Sequence, residues 1–242
     1  VVRFALEQRG LDIDFTMRRA LSPSQVTWLM AAALALGAIL ITTRTAGGPI
    51  LTLQLPLPVL AVAVGAGFFL AEQCLLNVEF RRQAHTFTLA SVPLLIGVLV
   101  LPADVFVATR LVASALAFAW QRVSVDKMAY NSAAYAFEAA VDAMIVNLLL
   151  APLHGVDLGT AIVLIFLLAV VDQFISALVL VMIRVHNGPL SRADVRQVLV
   201  PALVLSVTSS MFAFNIIILF QYGMLGATVA ALFLGFGAAG YR

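Results

Sequence analysis

The sequence predicts an all-α membrane protein, a polytopic transmembrane helix bundle of about eight spans with both termini in the cytoplasm. Three observations predict it. Hydrophobic residues fill 63% of the 242 positions, charged residues only 11%, and the mean hydropathy is +1.07, a balance far from that of soluble domains. Apolar runs bounded by Pro, Gly and charge recur along the whole chain. The basic residues fall almost entirely on one side of those runs.

A spanning helix needs about 20 apolar residues to cross a core of about 30 Å. Residues 1–24 do not supply one: Arg3, Arg9, Arg18 and Arg19 interrupt Phe4, Leu11, Ile13 and Phe15, and Asp12 and Asp14 add further charge. This is a cytosolic or interfacial lead-in, without the continuous apolar core of a cleavable signal peptide. The first span is predicted over 25–43. The second, 56–77, begins at the prolines of "QLPLPVL", which set where its helix starts. The third, 86–101, is the shortest, contains Pro93 and reads by length either as a short span or as a re-entrant segment; it rises out of the polar stretch "EFRRQAHTFTLASVPLLIGVLVLP". The remaining spans are predicted over 103–121, 131–151, 158–183, 197–220 and 223–240. In the seventh, Ser206, Thr208, Ser209, Ser210 and Asn215 suit interhelical hydrogen bonding, and in the eighth, Gly226, Ala230, Gly235 and Gly237 permit close helix approach.

Charge decides that the third run crosses. Lys and Arg in short loops favour the cytoplasmic side. With eight spans, the inner segments hold twelve of the fourteen basic residues, among them Arg81, Arg82, Arg122, Lys127, Arg184, Arg192, Arg196 and Arg242. Arg44 alone falls outside, and Arg110 lies within a span. If 86–101 did not cross, every later loop would change sides and the asymmetry would vanish.

Five ionisable groups lie at membrane depth: Glu72, Arg110, Glu138, Asp142 and Asp172. Charges placed there are costly and mark functional candidates. In "NSAAYAFEAAVDAM", Asn131, Tyr135, Glu138 and Asp142 share one helix face. Counting about 1.5 Å per residue from each helix mouth, Asp142 and Arg110 reach similar depth and pair. That pair serves equally well as a register-fixing ion pair or as a working site. Glu72, Glu138 and Asp172 fall in the inner half, where the bases at hand are Arg81, Arg82 and His85 of the polar loop. Carboxylates outnumbering bases suit a proton, a cation or an amine ligand, and they equally suit neutral acids that only hydrogen-bond to backbone.

Several chemistries are excluded. Cys74 is the single cysteine, so no intrachain disulfide, CxxC redox site or cysteine zinc site exists. No HExxH, His pair or His/Cys cluster is present, and no GxSxG elbow, P-loop or Rossmann glycine fingerprint. No cofactor and no nucleic acid is expected, and the bilayer is the constant partner.

The run "AEQCLLNVEFRRQAHTFTLASVPLLIGVLVLPADVFVATRLVASALAFAWQRVSVDKMAYNSAAYAFEAA" resembles the N-terminal multi-span region of actinobacterial GGDEF and EAL proteins, which make or degrade cyclic di-GMP. The positions that carry the resemblance are Glu72, Arg82, Ala84, His85, Phe87, Leu89, Pro93, Leu94, Gly97, Asn131 and Glu138. "MIRVHNGPLSR" and the terminal "GYR" are similar to that family's later loop and its exit into the cytosol. Val92 and Thr88 depart from the family pattern, which often has an acid and a serine there. The resemblance implies a sensory or anchoring domain (25–242) in the cytoplasmic, inner membrane, with catalytic domains following residue 242. It also implies a homodimer, because cyclase chemistry joins two nucleotides held by two catalytic domains. On this reading Glu72, Arg82, His85, Arg110, Asn131, Glu138, Asp142 and Asp172 are the ligand-binding or signalling candidates for a small-molecule or membrane signal. "LASVPLLIGVLVLPADVFVATRLVASAL" is more faintly similar to the substrate-binding membrane subunits of vitamin transporters.

Overall fold

The computed structural model describes residues 22–45, 47–73, 76–80, 83–87, 90–150 and 158–193, then 195–196, 198–200, 202–204, 206–207 and 211. The lead-in up to residue 21 and the predicted eighth span lie outside the described residues. Six helices and one hairpin are described with their full bounds: α1 (Pro23–Arg44), α2 (Leu57–Gln73), β1 (Leu76–Phe80), β2 (Gln83–Phe87), α3 (Ser91–Val100), α4 (Ala103–Trp120), α5 (Val125–Leu150) and α6 (Leu158–Asn187). The described residues between 192 and 211 are helical, where the seventh span was predicted.

Local chemistry fixes the helix ends. At the start of α1, the Ser22 hydroxyl accepts from the Gln25 N–H at 3.2 Å, and the Gln25 side chain accepts from the Ser22 N–H at 2.7 Å. With Pro23 at the first helical position, this closes a reciprocal N-terminal cap. The α4–α5 corner is a Schellman turn: the Val123 N–H donates to the Phe118 carbonyl and the Arg122 N–H to that of Ala119. Arg122 takes the left-handed conformation this requires, at φ 56°. Helix α6 ends at Gly188, whose φ of +91° suits the residue just past a helix.

Four helices among the described residues are long and apolar enough to cross a bilayer: Pro23–Arg44, Ala103–Trp120, Val125–Leu150 and, within α6, Phe166–His186. The polarity of the bundle is inverted accordingly. Large apolar side chains such as Leu36, Ile39, Val62, Leu116, Leu148 and Phe166 stand on the outside, while Arg110, Glu72, Glu138 and Asp142 are buried. This is a helical membrane protein.

Helix α5 is the centre of the bundle and touches α1, α3, α4 and α6. Its buried face is largely alanine, with Ala133, Ala136, Ala139, Ala140 and Ala143 meeting the neighbouring helices. Lipid tails are as apolar as a leucine core, so packing between such helices rests on close contact, which small residues allow. Gly97 does the same for α3: a Cβ there would lie 2.7 Å from the Phe106 ring of α4 and 2.8 Å from Val64 of α2. The loop after α1 is pinned at this end by the Leu51 N–H, which donates to the Leu99 carbonyl at 2.8 Å.

Two expectations change. The predicted third span over 86–101 is a helix of ten residues, about 15 Å long and half a hydrocarbon core. It is buried among protein, with Leu95, Val98, Leu99 and Val100 in the core. Ahead of it, where an α-only chain with a loop was predicted, an antiparallel hairpin pairs Leu76 with Phe87, Val78 with His85 and Phe80 with Gln83. Its physical reason is visible in "LNVEF", where apolar and polar residues alternate with the period of a strand, not of a helix. Consequently α2 stops at Gln73, short of the predicted residue 77.

Candidate functional site

The bundle gathers its buried charge around Arg110. Phe106, Arg110 and Ser114 follow one another at helical spacing on the buried face of α4. Phe68 and Glu72 do so on α2, and Tyr135, Glu138 and Asp142 on α5. The three faces meet with the guanidinium between them. Arg110 Nη1 lies 3.3 Å from Glu72 Oε1 and donates to it, and Nη2 lies 4.0 Å from Glu138 Oε2. The flat faces of the guanidinium are covered by aromatic rings, Phe68 at 4.3 Å and Tyr135 at 4.2 Å. Tyr135 is itself stacked on Phe118 at 5.9 Å, and Phe68 leans on Phe106 at 6.2 Å. Arg110 is 1% exposed, so both carboxylates act on it with little screening by water.

The end of α2 is fastened from a second direction. Gln121, just past α4, donates its amide to the Glu72 carbonyl at 2.8 Å. Glu72 is thus held by its backbone at one level and by its carboxylate at another. Within α4 the Ser114 hydroxyl donates to the Arg110 carbonyl at 2.8 Å.

The network continues into α6. Glu138 and Asp172 are in hydrogen-bonding contact, and Asp172 also engages the Ser206 hydroxyl. Beside it, the Gln173 amide reaches the same following segment: in the amide orientation that satisfies both of its ends, its nitrogen donates to the Leu199 carbonyl at 3.0 Å and its oxygen accepts from the Leu203 N–H at 2.8 Å. Asp142 stands one turn beyond Glu138 on α5, buried, with Oδ1 lacking any hydrogen-bond donor.

The predicted pairing of Asp142 with Arg110 is therefore corrected. Depth counting located Cα atoms, whereas long Arg and Glu side chains reach along the helices, and α2 and α5 both border α4 closely enough to bring Glu72 and Glu138 to it. Among the described residues, the base serving Glu72 and Glu138 is Arg110. Arg81 and Arg82 lie outside the described residues, and His85 is placed opposite Val78 in the hairpin. Asn131 is half-buried on the stripe of α5, seven residues before Glu138 and so about 10 Å from it along the axis.

Sequence reasoning missed Phe68 and Gln173. Both left a signal. Phe68 stands four residues before Glu72, on the same face, and Gln173 is a second polar residue beside Asp172 in an otherwise apolar run. Among the described residues, no group of three or more His, Cys, Asp or Glu side chains is placed to hold a metal ion. The chemistry on offer is the binding and redistribution of charge between helices.

No known family model, no curated protein and no solved structure matches this chain.

Proposed function

We propose that this chain is the membrane sensory or anchoring domain of a cyclic di-GMP signalling enzyme, a diguanylate cyclase, a phosphodiesterase or both. The observation that carries the reading is a single buried network: Arg110 of α4 joins carboxylates of α2 and α5, and Glu138 extends it to Asp172 of α6. Desolvating such charges costs several kcal/mol per ion, and altering the charge of one member is felt by every other. The last members, Asp172 and Gln173, grip the helical residues that lead toward the C-terminus. A ligand or membrane signal that favours one packing of this network over another would reach cytosolic domains along that route.

In this reading the chain crosses the cytoplasmic (inner) membrane about eight times, the short α3 completing the third crossing together with the residues ahead of it, both termini lie inside, and the protein works as a homodimer. Glu72, Arg110, Glu138, Asp142 and Asp172 form the input cluster. Arg82, His85 and Asn131 belong to its cytoplasmic mouth.

The test has two parts. Reading the gene past codon 242 should reveal a helical linker and a GGDEF or EAL domain. Cellular cyclic di-GMP should then change several-fold when Glu72→Gln or Glu138→Gln is introduced into the whole protein. Correctly inserted variants with unchanged output under all conditions would leave a passive anchor. A stop codon after residue 242, beside genes for a transporter ATPase, would favour a substrate-binding membrane subunit of a vitamin transporter.

A further inference from the structure

A carboxylate has oxygens that accept hydrogen bonds and no hydrogen to donate, so two carboxyl groups hydrogen-bond to each other only with a proton between them. The carboxyl groups of Glu138 (α5) and Asp172 (α6) stand within hydrogen-bonding reach of each other. The ionisable groups facing the pair are Glu72 from α2, Arg110 from α4, Tyr135 and Asp142 from α5 itself, with the Ser206 hydroxyl beyond α6. The other helices packed on α5 add nothing to this balance. Helix α3 has no ionisable side chain, and α1 has only Arg44 at its last residue.

Among the described residues Arg110 is thus the one cation set against four carboxyl groups, and Glu72 already holds it at 3.3 Å. Asp142 supplies an independent sign of unmet charge: it is 1% exposed, and no donor reaches its Oδ1. A proton fits this site because it needs no cavity and neutralises one carboxylate while creating the donor that the Glu138–Asp172 contact requires.

We infer that Glu138 and Asp172 share an exchangeable proton, and that this proton is the ligand the cluster reads. Removing it turns a hydrogen-bonded pair into two facing carboxylates, which repel. Asp172 also engages Ser206, and its neighbour Gln173 bridges Leu199 and Leu203. Separation of the pair is therefore transmitted to the segment that follows α6. Only the signalling consequence rests on the sensory reading above; the proton site does not.

The test is infrared difference spectroscopy of the whole chain in lipid nanodiscs, titrated from about pH 5 to about pH 9. A protonated-carboxyl band that appears on acidification and shifts in heavy water is expected. It should be lost or displaced in Glu138→Gln and in Asp172→Asn, and retained in Asp104→Asn, which lies outside the cluster. No titrating band in the native chain, or a band unchanged in both cluster variants, would overturn the site, and the native titration decides the matter even if a variant fails to fold. Cyclic di-GMP output of the full-length protein separates the two ideas. A titrating band with output indifferent to pH leaves the proton site standing and removes its signalling role. Output that depends on Glu138 without a titrating band does the reverse.

Discussion

Arg110 and Glu72 are 38 positions apart in the chain and 3.3 Å apart in the bundle, with both side chains nearly sealed from the surroundings. The same guanidinium faces Glu138 on its other side and is covered by Phe68 and Tyr135. Three helices are therefore tied at one group. Their mutual positions can be tested through it.

Removing one partner of a buried ion pair strands the other, which typically costs about 3–5 kcal/mol. Glu72→Ala and Arg110→Ala should each lower the thermal midpoint in detergent strongly. Glu72→Ala combined with Arg110→Ala should lose less than the two single losses added together. Additive losses in that double-mutant cycle would mean the two groups do not interact.

The ring of Tyr135 lies over Arg110, so its face matters more than its hydroxyl. Tyr135→Phe is expected to stay within about 0.5 kcal/mol of the native protein, whereas Tyr135→Leu loses about 1–2 kcal/mol. Comparing the two midpoints isolates the ring.

Gly97 of α3 leaves no room for a Cβ between Val64 of α2 and Phe106 of α4. Gly97→Leu overpacks it and should destabilise by at least about 1–3 kcal/mol. Trimming the obstructing ring with Phe106→Ala in the same background should return part of that loss. If Gly97→Leu is neutral, α3 is not wedged as described.

Gln173 bridges Leu199 and Leu203 through two hydrogen bonds. Gln173→Leu keeps the size and removes both, an expected loss of about 1–3 kcal/mol. Hydrogen–deuterium exchange should speed up locally at the Leu203 amide. An amide as slow as in the native chain would show that the bridge does not protect it.

Reporter fusions placed after residues 122 and 188 should both report cytoplasm if α4 and α6 each enter from outside and end inside, as the basic loops imply. A periplasmic signal at residue 122 would mean that the segment containing α3 fails to bring the chain across, reversing everything after it.

The sequence alone determined the solvent. A composition with 63% hydrophobic residues and charges confined to the ends of apolar runs and five positions within them allows only a membrane bundle, and the apolar runs placed α1, α4 and α6 within a few residues because hydrocarbon forces each backbone group to be satisfied within its own helix. It also named Glu72, Arg110, Glu138, Asp142 and Asp172, since a charge in an apolar run is conspicuous without knowing its neighbours. The partner of Arg110 was decided by tertiary structure. Helical spacing fixes which residues share a face, but which faces meet depends on how α2 and α5 pack against α4, and the linear count of depth chose Asp142 where the folded bundle presents Glu72 and Glu138. The hairpin of residues 76–87 belongs between these cases: its alternation is written in "LNVEF", yet a short strand signal embedded in long apolar runs is outweighed by helical hydropathy until the paired partner is seen.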